Sequence, residues 1–264
     1  MGAGRPEHLQ LVELGPGRGS LAADILRVFS QLQSVVGGAS VSVHLVEVSP
    51  ALSQLQAETL TGKRNMEASS EDDPVYRHGE TAARVSVSWY RRLEDVPAEG
   101  GVIVQQLARR IEEEGGAALI ADYGHDGTGT DTLRGFKGHQ LHDVLSTPGS
   151  ADLTADVDFS FLRRMAGGGV ACLGPVTQRT FLKNMGIDVR MQVLLRNCSD
   201  PSTRKQLISS YDMLTNPSKM GERFHFFSLL HPSRLAVPKK PQGLKLEKKS
   251  PAPLPVAGFT ELGF

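Results

Sequence analysis

A glycine-rich turn near the start of the chain limits the fold more than any other feature. It reads Gly15-Pro16-Gly17-Arg18-Gly19 and follows residues 9–14, whose apolar pattern is typical of a buried strand. Residues 21–32 then carry apolar side chains at three- and four-residue spacing, which predicts a helix. Residues 41–48 are almost continuously apolar, as in a parallel strand covered on both faces. Strand, turn, helix and strand in this order form a βαβ unit, so we predict an α/β fold.

The spacing of the glycines distinguishes two classes of nucleotide cofactor. A dinucleotide-binding turn has the pattern G-x-G-x-x-G, which would place its third glycine where this chain has Ser20. Here the third glycine is Gly19, and Glu13 precedes the first glycine by two residues. A carboxylate is unfavourable beside a pyrophosphate, but it suits a ligand that has cationic groups and no phosphate. We therefore predict S-adenosylmethionine as the cofactor and disfavour a dinucleotide oxidoreductase.

A second acidic residue, Glu47, closes the second predicted strand. In Rossmann-type sites an acid at this place accepts hydrogen bonds from ribose hydroxyls. Glu47 lies 32 residues after Gly15, whereas the dinucleotide pattern places the acid about 20 residues on. We predict that Glu13, Gly15, Gly17, Gly19 and Glu47 contact the cofactor. The alternative is that both acids simply end their strands at the surface.

A third strand is predicted around Val85, Val87 and Trp89, which alternate with polar residues. We include Trp89 among the candidate cofactor-binding residues, because its indole ring could stack on the adenine. An aromatic side chain that packs in the core is an equally good interpretation of the pattern.

Several stretches of the chain resemble the MidA-like methyltransferases, a family that includes a protein-arginine methyltransferase of mitochondrial complex I assembly. The resemblance implies a Rossmann-like methyltransferase sheet, S-adenosylmethionine as cofactor and transfer of a methyl group to protein arginine. It also implies a core complex I subunit as the substrate and the mitochondrial matrix as the location. The stretches that carry it are residues 11–19, 44–49, 88–90, 121–125, 148–159 and 181–188.

One part of the family pattern is missing from the middle of this chain. The family has a central fourth strand that ends in a Glu-Phe-Phe-Asp run, but residues 91–101 provide only eleven positions, with Pro97 and a Gly100-Gly101 pair. We therefore expect a shortened form that lacks this strand, its acidic loop and the residues that precede the first strand in the family.

The missing loop matters for the chemistry. An arginine acceptor is protonated and needs carboxylates that hold its guanidinium group. Asp122 and Asp126 remain nearby in the sequence, but we assign neither as a replacement, so the catalytic residues stay unknown. The alternative function is a non-catalytic, shortened form that acts as a binding or assembly protein.

The sequence divides into an incomplete S-adenosylmethionine-binding region (1–124), a helical substrate region (125–236) and a basic, proline-rich tail predicted to be disordered (237–264). Residues 124–149 are expected to form a surface or substrate loop. His139 and His142 lie at metal-ligand spacing, but they lack a clear further ligand, so no metal site is predicted. Thr154 is expected to cap a helix whose apolar residues begin at Val157.

The composition of the chain argues against nucleic acid as a partner and against a membrane-spanning segment. Lys and Arg together number 29, and so do Asp and Glu, so the chain as a whole has no net charge that would favour nucleic acid. No apolar run approaches the roughly 18 residues of a membrane span. No transit-peptide pattern is visible at the start, so the mitochondrial location follows from the resemblance alone. The oligomeric state is not predicted.

Overall fold

The computed structural model describes residues 8–31, 40–47, 49–61, 75–81, 85–90, 100–235 and 256–260. For residue 61 and for the stretches 75–81 and 85–90 it describes the backbone alone. The chain consists of two compact units, Met1–Pro97 and Ala98–Phe264. The predicted boundaries at residues 124 and 236 stay predictions.

The first unit contains the predicted βαβ arrangement. Its sheet has the order β1-β2-β4-β3, in which β1, β2 and β4 are parallel and β3 is antiparallel to β4. Helix α2 and strand β3 were not predicted. The elements are β1 (His8–Leu14), α1 (Ser20–Gln31), β2 (Ser40–Val46), α2 (Pro50–Thr61), β3 (Val75–Thr81) and β4 (Val85–Tyr90).

Strand β2 supplies most of the core of this unit. Val43 and Leu45 are fully buried, and they pack with Ala22 of α1 and Ala57 of α2. Burial of such side chains stabilises a fold by about 1.5–3 kcal/mol each. The apolar side chains of residues 41–46 are therefore explained by a strand that is covered on both faces.

Strand β1 differs from β2 in its exposure. It pairs with β2, with Leu11 opposite Val43, and within the described residues its other edge has no strand beside it. Leu9, Val12 and Leu14 are 45%, 51% and 48% exposed. In a complete Rossmann-like sheet the first strand lies at the centre, and the absence of the family's central strand stays a prediction.

The second unit has a sheet of order β10-β11-β5-β9, in which β11 is antiparallel to both β10 and β5. A smaller sheet has the order β7-β6-β8. Its first elements are α3 (Gly100–Glu114), β5 (Ala117–His125), β6 (Arg134–Lys137), β7 (Gln140–His142), β8 (Asp152–Thr154), β9 (Val157–Asp158) and α4 (Phe159–Ala166). They are followed by β10 (Ala171–Thr177), α5 (Gln178–Asn184), α6 (Ile187–Asn197), α7 (Pro201–Thr215), a π-helical turn (Pro217–Gly221), β11 (Phe224–Leu230) and a 3₁₀ turn (Pro232–Arg234).

The core of the second unit forms where helices α3 and α4 pack on the β11–β5 part of the sheet. Phe159, Phe227 and Leu229 are fully buried there, together with Val104 and Ile111 of α3. The predicted helix from residue 102 onward and the predicted last strand, which begins at Phe224, are both confirmed. Among the described helices of the chain, none is long and apolar enough to cross a membrane.

Two local predictions for this unit were wrong. Residues 124–149 are not a continuous loop, because β6 and β7 form a hairpin whose turn includes His139 at a φ of 64°. Thr154 does not cap α4, because it belongs to β8. The cap is Asp158, whose carboxylate accepts hydrogen bonds from the backbone N–H groups of Ser160 and Phe161. The two-residue strand β9 lies between Thr154 and the helix, so the capping position falls on Asp158.

Residues 256–260, which lie within the tail predicted to be disordered (237–264), form a turn on helix α5. The Phe259 ring meets the Phe181 ring edge to face, with 5.5 Å between centroids, and Phe181 stacks on Phe226 at 4.0 Å. Asn184 Nδ2 donates a hydrogen bond to the Gly258 carbonyl oxygen at 3.0 Å. The remainder of the predicted tail beyond residue 236 lies outside the described residues.

Candidate functional site

The glycine turn joins the end of β1 to the start of α1. All of its glycines have positive φ angles, 68° at Gly15, 55° at Gly17 and 78° at Gly19, which side-chain-bearing residues rarely adopt. The Gly15 N–H donates a hydrogen bond to the Val46 carbonyl oxygen at 3.1 Å, which fixes the turn to the end of β2. Among the described residues beyond the chain neighbours of each glycine, no atom lies within 4 Å of where a Cβ would stand at Gly15 or Gly17, so both glycines face open space that a ligand can enter.

Glu13 lies near the carboxyl end of β1, just before the turn. Burial raises the pKa of its carboxyl group above the ordinary value of 4.5, and a hydrogen bond from the Ala22 N–H acts in the opposite direction. Its Oε2 atom is buried and accepts no hydrogen bond in the described part of the chain. A buried acceptor without a partner costs free energy, so this carboxylate is suited to a ligand that brings a donor or a positive charge.

Glu47 follows β2 directly and is only 8% exposed. Its Oε1 accepts a hydrogen bond from the Ser49 N–H at 2.9 Å, and its Oε2 accepts one from Gln56 Nε2 at 3.3 Å. Each carboxylate oxygen can accept more than one hydrogen bond, so both oxygens keep capacity for ligand hydroxyls. The alternative, that Glu47 simply ends a strand at the surface, does not agree with this burial.

Gln56 of α2 is a site residue that the sequence did not reveal. It is fully buried, and its Nε2 donates to the Gly17 carbonyl oxygen at 2.7 Å as well as to Glu47. Gln56 therefore joins the glycine turn and the second acid through one amide. The available signal was weak: a glutamine beside Ala57, three residues after Ser53, on a helix with little apolar periodicity.

Trp89 lies on β4, where its backbone is opposite Leu45 of β2 and Tyr76 of β3. Strands β1, β2 and β4 are parallel, so their carboxyl ends meet at one edge, where ligands bind in open α/β sheets. The side chain of Trp89 lies outside the described part of the structure. Its stacking on an adenine ring stays a prediction.

The first unit therefore offers acceptors where S-adenosylmethionine carries donors. The ligand's ammonium group and ribose hydroxyls need acceptors, and two carboxylates lie at the ends of neighbouring strands: half-buried Glu13, with a buried Oε2, and buried Glu47. The open backbone at Gly15 and Gly17 permits close approach. The residues that are present fit this cofactor.

The carboxylates of the second unit that were considered for catalysis are already engaged. Arg163 holds Asp126 with both guanidinium nitrogens, at 3.0 and 3.3 Å. Asp122 accepts a hydrogen bond from the Tyr123 N–H at 2.8 Å, and burial raises the pKa of its carboxyl group. Asp126 is held in an ion pair with Arg163, and nothing in the described part of the chain singles out Asp122 for an arginine substrate, so no catalytic carboxylate is assigned.

The histidines at metal-ligand spacing do not form part of a larger cluster. His142 Nε2 hydrogen-bonds to Ser146 Oγ at 3.1 Å, and His139 lies in the hairpin turn. Among the described residues, no group of three or more His, Cys, Asp or Glu side chains is arranged to hold a metal ion.

The chain is similar to curated mitochondrial proteins along almost its whole length. It is 51% identical to a Danio rerio protein named "Protein arginine methyltransferase NDUFAF7, mitochondrial", over 99% of this chain and 76% of the relative. Proteins of the same name from Rattus norvegicus and Homo sapiens are 48% and 45% identical, over 99% and 100% of this chain and 76% and 75% of theirs.

Two solved structures from Burkholderia thailandensis share the fold. One is an uncharacterised protein that matches with a TM-score of 0.59 at 21% identity, over 86% of this chain and 75% of the other. The second was crystallised with S-adenosyl-homocysteine and matches with a TM-score of 0.55 at 23% identity, over 84% and 71%. The Rossmann-like methyltransferase fold predicted from the sequence is confirmed.

The comparisons also indicate an interruption in the middle of the chain. The zebrafish alignment spans 332 positions, 68 more than the 264 residues of this chain, so at least that many positions have no counterpart here. A family model for S-adenosyl-L-methionine-dependent methyltransferases matches in two segments, residues 1–104 and 96–176, which meet where the central strand was expected to be absent. The chain belongs to this family of S-adenosyl-L-methionine-dependent methyltransferases.

Proposed function

We propose that the first unit binds S-adenosylmethionine at the carboxyl edge of β1 and β2. The observation that carries this proposal is the Glu13 carboxylate, whose buried Oε2 has no partner in the described residues and which lies close in sequence to two glycines that face open space. In this arrangement Glu13 accepts a hydrogen bond from the ammonium group of the cofactor. Glu47 accepts hydrogen bonds from the ribose hydroxyls, and Trp89 stacks on the adenine.

The bound cofactor would supply an electrophilic methyl group on a sulfonium ion. Methyl transfer is then largely a matter of position, because the acceptor must approach in line with the bond that breaks. The residues of this chain contribute orientation: the glycine turn admits the ligand, and the two acids hold its ammonium and ribose groups at separate points. Glu47 is shielded from water, which strengthens its hydrogen bonds.

The acceptor is proposed to be an arginine of a protein, namely a core subunit of respiratory complex I in the mitochondrial matrix. The names of the zebrafish, rat and human relatives support protein arginine and the mitochondrion. The complex I subunit and the matrix rest on the resemblance to the family.

A specific observation also favours the alternative, a non-catalytic form that binds or assembles a partner protein. The interruption lies where the family places its central strand and acidic loop, and the remaining carboxylates Asp122 and Asp126 are engaged within the second unit. Such a form would keep cofactor binding and lose methyl transfer, since the acids that hold the arginine would be missing.

Calorimetric titration with S-adenosylmethionine tests the binding proposal. We expect saturable binding, and we expect Glu47→Ala to weaken it by about 10- to 100-fold, as is typical when hydrogen bonds to a charged group are lost. Asp24→Asn, which removes an exposed charge on α1 of the same unit, is the matched control and should bind normally. Absence of heat at millimolar cofactor would exclude the proposal.

A methyl-transfer assay separates the enzyme from the binding protein. Radiolabelled S-adenosylmethionine is incubated with this chain and a complex I subunit, with the zebrafish relative as the comparison enzyme. Label on arginine in both reactions supports the enzyme. Label with the relative alone, together with normal cofactor binding by this chain, supports the non-catalytic form.

A further inference from the structure

The amide of Gln56 lies between two parts of the cofactor site that are far apart in sequence. Its Nε2 donates to the Gly17 carbonyl oxygen at 2.7 Å and to Glu47 Oε2 at 3.3 Å, across 39 and 9 residues of sequence. The residue is fully buried. Since both neighbours are acceptors, they fix which end of the amide carries the nitrogen.

The other end of the same amide is left without a partner. Gln56 Oε1 is buried and accepts no hydrogen bond in the described part of the structure. An unsatisfied buried carbonyl oxygen costs about 1–3 kcal/mol, and this cost accompanies the two hydrogen bonds that the amide nitrogen donates to Gly17 and Glu47. The glutamine therefore joins the glycine turn to Glu47, and its carbonyl oxygen remains as a buried acceptor beside the site.

We propose that Gln56 is the positioning residue of the cofactor site. It sets the orientation of the Glu47 carboxylate towards the ribose and ties that carboxylate to the glycine turn, so that the two parts act as one surface. The inference rests on the proposed binding of S-adenosylmethionine. It goes beyond that proposal because it assigns a role to α2, which the glycine turn and the acids alone do not require.

Replacement by methionine tests the role, because methionine keeps the length of the side chain and removes the amide. The ligands are S-adenosylhomocysteine and its 2′-deoxy analogue, and the measured quantity is the ratio of their dissociation constants. We expect the unsubstituted chain to prefer the hydroxylated ligand by about tenfold or more, because a charged acceptor recognises the hydroxyl. In Gln56→Met this preference should fall to about twofold or less.

The ratio separates positioning from a purely structural role. General loosening of the unit would weaken both ligands alike and leave the ratio unchanged. Gln54→Met, the same change at an exposed position of α2, should retain the preference. A preference in Gln56→Met equal to that of the unsubstituted chain would overturn the inference. Absence of binding by the unsubstituted chain would instead overturn the proposed cofactor site itself.

A second variant applies if Gln56→Met does not fold. Gln56→Glu keeps the shape but places a second carboxylate beside Glu47, and two carboxylates in contact share a proton. We expect its affinity for S-adenosylhomocysteine, relative to the unsubstituted chain, to rise at least fivefold as the pH falls from 8 to 6. A relative affinity that does not change with pH would contradict the proposed contact.

Discussion

Gly19 lies directly against Gln56: a Cβ atom at Gly19 would stand 3.3 Å from Cγ of Gln56 and 3.4 Å from its Cα. The φ angle of Gly19 is 78°, so a side chain would also be strained by the backbone conformation. A glycine is thus favoured for two reasons: the turn needs a positive φ angle here, and a Cβ atom would press on α2. This contact brings the turn close enough for the Gln56 amide to reach Gly17.

We predict that Gly19→Ala lowers the free energy of unfolding of the first unit by about 1–2 kcal/mol, from the cost of the left-handed conformation. Because α2 must also yield, the affinity for S-adenosylmethionine should fall. Urea denaturation and calorimetry measure the two effects. Gly168→Ala is the control, since Gly168 lacks a positive φ and has open space around its Cβ position. Equal unfolding curves for Gly19→Ala and the unsubstituted chain would contradict the prediction.

The second prediction concerns Glu13, whose pKa burial raises above 4.5. Between the unfolded and folded pKa values the native state binds more protons, so stability falls as the pH rises through that interval. We expect Glu13→Gln to lose this decline, so that at pH 7 the ligand-free variant is at least as stable as the unsubstituted chain. Its affinity for S-adenosylmethionine should nevertheless drop by about tenfold or more, through loss of a charged acceptor.

Urea denaturation at pH 5 and pH 7.5, with calorimetry at pH 7.5, measures both effects of Glu13→Gln. Asp24→Asn is again the control, because its carboxylate is exposed and forms an ion pair with Arg27 on the helix surface. Normal cofactor affinity in Glu13→Gln would show that the carboxylate does not face the ligand.

The sequence was most informative where local pattern and burial coincide. Strand β2 was predicted well, since Val43 and Leu45 are buried and the strand is covered on both faces. The glycine turn was predictable because its positive φ angles admit few other residues. Helix α2 was missed, since its inward face carries Ser53 and Gln56 rather than a continuous apolar stripe.

The site was predictable only where its residues belong to strand ends or turns that the local sequence pattern locates. Glu13 and Glu47 are placed by the ends of strands, which the apolar pattern locates. Gln56 is placed by packing between α2 and the turn. Its partners are 39 and 9 residues away, so the local apolar periodicity of the sequence does not indicate the contact. Likewise, Thr154 has the side chain of a helix cap, but the two-residue strand β9 shifts that role to Asp158.

The third prediction concerns the turn at residues 256–260. Phe259 meets Phe181 edge to face, and Asn184 donates to Gly258. Phe259→Ala should lower the free energy of unfolding of the second unit by about 1–2 kcal/mol, because the ring is half-buried and loses an aromatic pair. Urea denaturation is the measurement, with Leu145→Ala as the control, since Leu145 is 87% exposed. An unchanged midpoint in Phe259→Ala would show that the turn does not stabilise this unit.

The last prediction is a dependence of stability on pH that arises from His225 of β11. Burial lowers the pKa of its imidazole below 6.5; a hydrogen bond with the Arg223 backbone and the charge of Asp126 oppose this shift, and His125 adds to it. Its Nδ1 is buried without a partner in the described residues, and its ring lies 5.9 Å from that of Phe159. The neutral form is therefore the one that the folded state accommodates.

The unfolded state binds more protons than the folded state between the lowered pKa and 6.5, so the second unit should lose stability as the pH falls through that interval. Asp122, opposite His225 in the sheet, acts in the reverse sense at lower pH, because burial raises its pKa above 3.8. We expect His225→Phe to reduce the loss of stability between pH 7 and pH 5.5, measured by urea denaturation. His139→Asn, at an exposed hairpin turn whose φ of 64° suits asparagine, is the control. If His225→Phe and the unsubstituted chain lose the same stability between pH 7 and pH 5.5, a group other than His225 causes the acid sensitivity of the second unit.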